Sequence, residues 1–256
     1  MRRELDVFLT AVMFFTRIPL PGWLGYTYDP AYLQQSTRYF PVVGWIVGGV
    51  SAGVFALASQ GLPVSVSVLL SMSASVVLTG AFHEDGWADV CDGFGGGWTQ
   101  EQVLDIMKDS RLGTYGSVAL MLVLALKACA LVELHAVGGT WGVAVALLVG
   151  HSVSRWAATS IIFTHEYVRA DARSKAKPVA KGLSATDFAL ASVLGLGPMF
   201  LVPVSLWWVL IPVVGVRQWL VRWYVRRLGG YTGDALGGAQ QITEVALLIS
   251  LLGALS

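Results

Sequence analysis

Apolar residues run through this chain in blocks too long for the amphipathic helices of a soluble core. A membrane-spanning helix takes about 20 mostly apolar residues. Blocks of that kind fall near 42–60, 64–82, 116–137, 141–163, 187–203, 204–220 and 240–256. The stretch 5–16 is apolar but short, and reads as a helix lying at the membrane interface or re-entering the protein. The pattern predicts an all-α polytopic helix bundle of about seven spans plus that N-terminal helix. No polar linker divides it, so residues 1–256 read as a single integral membrane domain.

Polar positions sort the connections into two sets. Those near Gln60–Pro63, Gly138–Thr140 and Pro203–Ser205 are short and uncharged. The N-terminal segment to Arg38, then 83–115, 164–187 and 217–239, carry nearly all the ionised groups. The two sets alternate along the chain. The basic groups include Arg2, Arg3, Arg17 and Arg38, then Arg169, Arg173, Lys175, Lys177 and Lys181, then Arg217, Arg222, Arg226 and Arg227. Positive charge favours the cytoplasmic side, so one membrane face, the inner one, is expected to hold all the chemistry.

Composition agrees. Hydrophobic residues make up 55% of the chain and charged ones 13%, about half the share of a soluble domain. A net charge of +1 gives no field suited to nucleic acid. Cys91 and Cys129 lie in unlike segments, which argues against a disulfide framework.

One loop departs in sign. Residues 83–115 carry seven carboxylates against Lys108 and Arg111, a net charge of −5. Within HEDGWADVCDGFGGGW (83–98), Asp85, Asp89 and Asp92 stand at i, i+4 and i+7, one face of a helix. Like charges so stacked repel unless a cation sits among them. Oxygen donors without a thiol or imidazole suit Mg²⁺ or Mn²⁺. A solvated acidic helix is the plainer reading, but it has no use for the interleaved Gly86 and Gly93 or for Gly95–Gly97.

Thr99 with Gln102 fits a capping box opening a second helix, expected to run towards Ser110–Gly113. Lys108 and Arg111 at its end are placed to hold phosphate oxygens. In 226–244 the lone Asp234 sits in a glycine-rich turn, as a cap or as a member of the site. Within spans, Lys127 and Glu133 form a plausible internal pair, and His151 and Arg155 share a helix face.

FFTRIPLP (14–21), RYFPVVG (38–44), HEDGWADVCDG (83–93), IMKDSRLGTYG (106–116) and GGYTGDALGGAQQITE (229–244) resemble, in order, the signatures of the cobalamin synthase, or adenosylcobinamide-GDP ribazoletransferase, family. The resemblance implies a multi-pass enzyme of the bacterial cytoplasmic membrane with its active-site loops in the cytoplasm. It implies joining of adenosylcobinamide-GDP to α-ribazole or its 5′-phosphate, with Mg²⁺ as cofactor and GMP as leaving group. On this reading Asp85, Asp89 and Asp92, with Glu84, hold the metal. Lys108, Arg111, Arg17 and Arg38 bind substrate, and Asp92, Asp234 or Glu84 takes the proton, with His83 as an alternative. A second copy of the chain and other enzymes of the pathway are the protein partners left open. The D-x-x-D-G at Asp89–Gly93 also occurs in CDP-alcohol phosphotransferases, but the rest of their pattern is absent. A carboxylate-gated cation transporter is the rival of another class.

Overall fold

The computed structural model describes residues 2–27, 29–168 and 182–256. The expected basic groups from Arg169 to Lys181 lie outside the described residues. Among the described residues ten α-helices follow one another: α1 (Arg2–Phe15), α2 (Pro30–Ser36), α3 (Phe40–Ala58), α4 (Val64–Thr79), α5 (Phe82–Gly96), α6 (Gln100–Ile106), α7 (Thr114–Thr164), α8 (Ala185–Leu196), α9 (Leu210–Leu228) and α10 (Gly233–Leu255). The all-helical membrane bundle expected from the hydrophobic blocks is the fold found.

α7 counts 51 residues, which would reach about 76 Å if straight, far beyond an apolar layer of roughly 30 Å. It is not straight. Gly139 adopts φ 62°, ψ −165°, a conformation barred to most L-residues, and the chain turns back there. A Cβ on Gly142 would stand 3.6 Å from the Leu134 carbonyl oxygen, whereas a straight helix separates residues so spaced by about 12 Å. The two blocks 116–137 and 141–163 are therefore the two antiparallel legs of α7.

The count of about seven separate spans needs correction. By length and composition the described residues hold four helices able to cross a membrane, or five if one bent pair is a single span, and the two legs of α7 add one crossing to either count. The bent pair is α4 with α5: the block 64–82 ends at Thr79, and the chain swings by 87° into α5. Gly80 and Ala81 make the corner in the left-handed region, with φ 69° and 57°. The block 187–203 forms the 12-residue α8 and a 3₁₀ turn at Gly197–Leu201. At about 18 Å, α8 is too short to cross alone. The charged segment 217–239 is also mostly helix, because α9 continues to Leu228. α6 ends at Ile106, earlier than expected, although its Thr99–Gln102 capping box is present.

Three apolar clusters hold the bundle. The largest joins Phe55, Val68, Leu131, Leu147 and Leu247 of α3, α4, α7 and α10. A second joins Trp87, Phe94, Val103, Leu220 and Tyr224 of α5, α6 and α9. In the third, Val12 and Phe15 of α1 pack on Phe40 and Val43 of α3, so α1 seats its apolar face on protein. Large apolar side chains such as Leu57, Val77, Phe200 and Ile211 remain exposed on the outside. Such a surface suits lipid rather than water.

Candidate active site

The acidic motif forms α5, a continuous helix, so Asp85, Asp89 and Asp92 share one face as the spacing predicts. Their surroundings differ in steps: Asp85 is exposed, Asp89 half-buried and Asp92 buried. Asp92 reaches the start of α7. Its Oδ2 accepts the Gly113 N–H at 2.7 Å and its Oδ1 the Gly116 N–H at 2.8 Å. A helix start leaves backbone N–H groups without partners, and the α7 N-cap, Gly113, has no side chain to satisfy them. Asp92 caps α7 from another helix. A Cβ at Gly113 or Gly116 would collide with the Asp92 carboxylate.

The start of α10 meets α5 from a second side. A Cβ on Gly86 would lie 2.8 Å from the Asp234 carbonyl oxygen, and one on Gly237 would lie 3.2 Å from His83. These glycines let the two backbones touch, the close approach that a solvated helix would not need. The Thr232 hydroxyl caps α10 by accepting the Ala235 N–H at 3.2 Å. Asp234, in the first turn, therefore sits against the Asp85–Asp89 segment.

Glu84 does not share the Asp85 face. Neighbouring residues on a helix point about 100° apart. Glu84 turns into the bundle, 6% exposed, where its Oε1 accepts the Gln241 side-chain N–H at 3.0 Å. Its Oε2 is buried without a hydrogen bond. Gln241 opens onto a buried polar network that sequence reasoning did not assemble. The Gln241 amide oxygen accepts from Lys127 Nζ at 3.2 Å. Lys127 pairs with Glu244 at 3.0 Å, and Glu244 also accepts from Gln240 at 2.6 Å and faces His151 Nδ1 at 3.4 Å. Arg155 donates to the His151 carbonyl at 2.9 Å and lies within electrostatic reach of Glu84 and Glu244. The expected Lys127–Glu133 pair is thus corrected: Glu133 is exposed, and the partner is Glu244 on α10. His151 and Arg155 do share a face, as their spacing predicts. The signal available beforehand was Gln240, Gln241 and Glu244 standing together in an apolar span.

The four expected cations are placed unevenly. Arg17 packs against Gly80 at the corner leading into α5, and its N–H donates to the Leu78 carbonyl at 2.7 Å. Lys108 faces Asp105 at 3.7 Å and Arg111 pairs with Asp109 at 2.6 Å, both cations exposed on the segment that runs into Gly113 and hence towards Asp92. Hydrogen bonds from Arg111 hold the Asp109 carboxyl below its ordinary range. Arg38 stands apart. It bridges Glu4 and Asp187, at 2.6 Å each, and so ties α1 to α8.

Among the described residues no three His, Cys, Asp or Glu side chains converge into a ready-made metal cage. Mg²⁺ seldom uses one. It keeps waters and is held by one or two carboxylates with phosphate oxygens of the substrate. A row of carboxylates on one helix face fits an ion completed by substrate.

A family model described as cobalamin-5-phosphate synthase matches residues 7–252. The chain is similar to the adenosylcobinamide-GDP ribazoletransferase of Shewanella amazonensis, with 49% identity over 254 residues, 98% of this chain and 96% of the relative. Similar enzymes of the same name occur in Shewanella putrefaciens, at 48%, and Shewanella baltica, at 47%, each over 255 residues, 98% of this chain and 95% of the relative. No solved structure matches.

Proposed function

The chain belongs to the cobalamin-5-phosphate synthase family, and from that premise we propose that it transfers the activated corrinoid of adenosylcobinamide-GDP to a hydroxyl of α-ribazole or its 5′-phosphate, releasing GMP, at a Mg²⁺-assisted site on α5 facing the cytoplasm. Family membership leaves no place for the CDP-alcohol phosphotransferase and transporter readings. The observation that carries the mechanism is the Asp85–Asp89–Asp92 face, set between the starts of α7 and α10.

The reaction brings a hydroxyl oxygen to a phosphorus atom surrounded by negative charge. A divalent ion, when bound, neutralises the pyrophosphate and stabilises the leaving phosphate oxygen. Asp85 and Asp89 are the natural holders, exposed and half-buried on one face. Asp92 anchors the far end of that face by gripping α7, and reaches an ion only with the lone pairs those N–H groups leave over. Lys108 and Arg111 approach the guanosine-side phosphate. Arg111 exchanges Asp109 for it at small cost, since an exposed ion pair is weak. Arg17 adds positive charge at the entrance of α5. Arg38 acts by holding α1 and α8 at the rim. Asp234, Asp92 and Glu84 are the carboxylates near enough to the motif to take the hydroxyl proton. The alternation of charged and uncharged connections supports a cytoplasmic site in the bacterial inner membrane.

The test is release of GMP from adenosylcobinamide-GDP by the purified protein on adding α-ribazole and Mg²⁺. The expected result is equimolar GMP and corrinoid product, abolished by a chelator and restored by Mg²⁺. No GMP with either α-ribazole or its 5′-phosphate contradicts the reading.

A further inference from the structure

The cleft between α7 and α9 lies apart from the site on α5. It is a groove of about 210 Å³ walled by Trp156, Ala157, Val213 and Val214, with Arg217 and Gln218 at its polar end. The Trp156 N–H donates to the Ser192 hydroxyl at 3.0 Å, which fixes the ring as a wall. Arg217, half-buried, reaches across to the last turn of α7. Its Nε donates to the Ser160 hydroxyl at 3.0 Å, and its Nη2 to the Ser160 carbonyl at 2.9 Å and to the Thr164 hydroxyl. Its Nη1 donates to the Gln218 amide oxygen at 3.0 Å. These bonds take four of the five guanidinium N–H groups. Every acceptor is neutral, and among the described residues no carboxylate accepts from Arg217. Capping of α7 does not account for the arrangement, because the Ser160 carbonyl already accepts the Thr164 hydroxyl at 2.7 Å. Snorkelling alone would turn the side chain out to water, whereas here it is held sideways against α7. A cation thus stands unneutralised where the apolar block 141–163 ends, beside the exposed Val214 and Trp219 of α9.

We propose that this groove binds one anionic phospholipid, its phosphate on Arg217 and an acyl chain along Ala157, Val213 and Val214. A basic pocket between spanning helices at headgroup level suits a lipid headgroup of negative charge. The apolar walls favour the chain, and a guanidinium matches phosphate oxygens. The remaining Nη1 N–H of Arg217 is free to donate. Arg217 holds the oxygen end of the Gln218 amide, which leaves the amide nitrogen for a second hydrogen bond. With no carboxylate paired to Arg217, nothing beside it pairs with the ammonium of a zwitterionic headgroup, so a lipid of net negative charge is preferred. The site depends neither on the Mg²⁺ reading nor on the acidic row of α5.

The experiment is native mass spectrometry of the full-length protein released from neutral detergent and titrated with dioleoyl phosphatidylglycerol or dioleoyl phosphatidylcholine. The first phosphatidylglycerol is expected to bind about fivefold more tightly than the first phosphatidylcholine, the preference that one basic group gives near a membrane surface. Arg217→Gln should abolish the preference, and Arg217→Lys should keep most of it. Val214→Trp, at an exposed wall position, should fill the groove and remove the tight first binding. Equal affinity of the wild type for the two lipids overturns the proposal. So does a preference that survives Arg217→Gln, or tight binding that survives Val214→Trp. If Arg217→Gln shows no cooperative thermal transition, Val214→Trp decides alone. Binding of inorganic phosphate in place of the lipid, lost in Arg217→Gln, marks a free-phosphate site and overturns the lipid assignment.

Discussion

The two faces of α5 treat carboxylates by opposite rules. Outward, Asp85, Asp89 and Asp92 stand in a row with like charge, and Asp92 is fixed by two backbone N–H groups rather than by a cation. Inward, one turn of a residue away, Glu84 joins a closed set in which Lys127 and Arg155 balance Glu84 and Glu244. The inner set is neutral because charge in an apolar bundle cannot be left unmatched. The outer row sets like charges side by side on one helix face, a repulsion that a bound cation would relieve. A structural carboxylate and a candidate catalytic one are thus told apart by the side of α5 they face and the depth at which they sit, not by residue type.

Substitutions on the two faces should separate stability from activity. Lys127→Met leaves Glu244 buried without its cation and is expected to destabilise the protein by about 3–5 kcal/mol. Thermal unfolding in detergent measures it, and a midpoint equal to wild type would show that the pair does not hold the bundle. Asp89→Asn has the opposite signature: GMP release falls by about 10–100-fold while stability stays within about 0.5 kcal/mol. Loss of both together would place Asp89 with the inner set.

Asp92→Ala should lie between them. Removing a helix cap costs about 0.5–2 kcal/mol, and here the cap on α7 comes from α5. Unfolding of the variant, compared with wild type, gives the number directly. The smallest effect concerns the rim. Burial raises the Asp187 carboxyl, but hydrogen bonds from Arg38 and Ser184 outweigh it and leave Asp187 below its ordinary 3.8. A carboxyl depressed on folding contributes stability above its unfolded value, and that contribution is lost as pH falls through the folded value. The link from α1 to α8 should therefore weaken by at most about 1 kcal/mol below pH ~4. Asp187→Asn should flatten that part of the stability profile, and an unchanged profile would remove Asp187 from the account.

Much of this was legible in the sequence, for definite reasons. The i, i+4, i+7 spacing fixed the shared face of Asp85, Asp89 and Asp92 once α5 was a helix. The uncharged Gly138–Thr140 break marked the turn that Gly139 makes. Gly86 permits close approach, and its α carbon lies against the Asp234 backbone. The rest depended on contacts between distant segments. Nothing local to Lys127 says that its partner is Glu244 on α10 and not the nearby Glu133. Nothing near Asp92 says that it caps a helix beginning at Thr114. From the sequence Arg38 is a substrate-binding candidate, because Glu4 and Asp187, which it bridges, lie far from it in the chain. The span count erred where hydropathy alone cannot see a corner, at Gly80–Ala81, or a helix cut short, at Leu196.

The most direct test is a structure of the protein with Mn²⁺ and adenosylcobinamide-GDP, the ion located by its anomalous scattering. The account predicts the ion about 2.0–2.2 Å from carboxylate oxygens of Asp85 and Asp89 and from the pyrophosphate. An ion and pyrophosphate bound away from the outer face of α5, with Asp85 and Asp89 still in solvent, would contradict it.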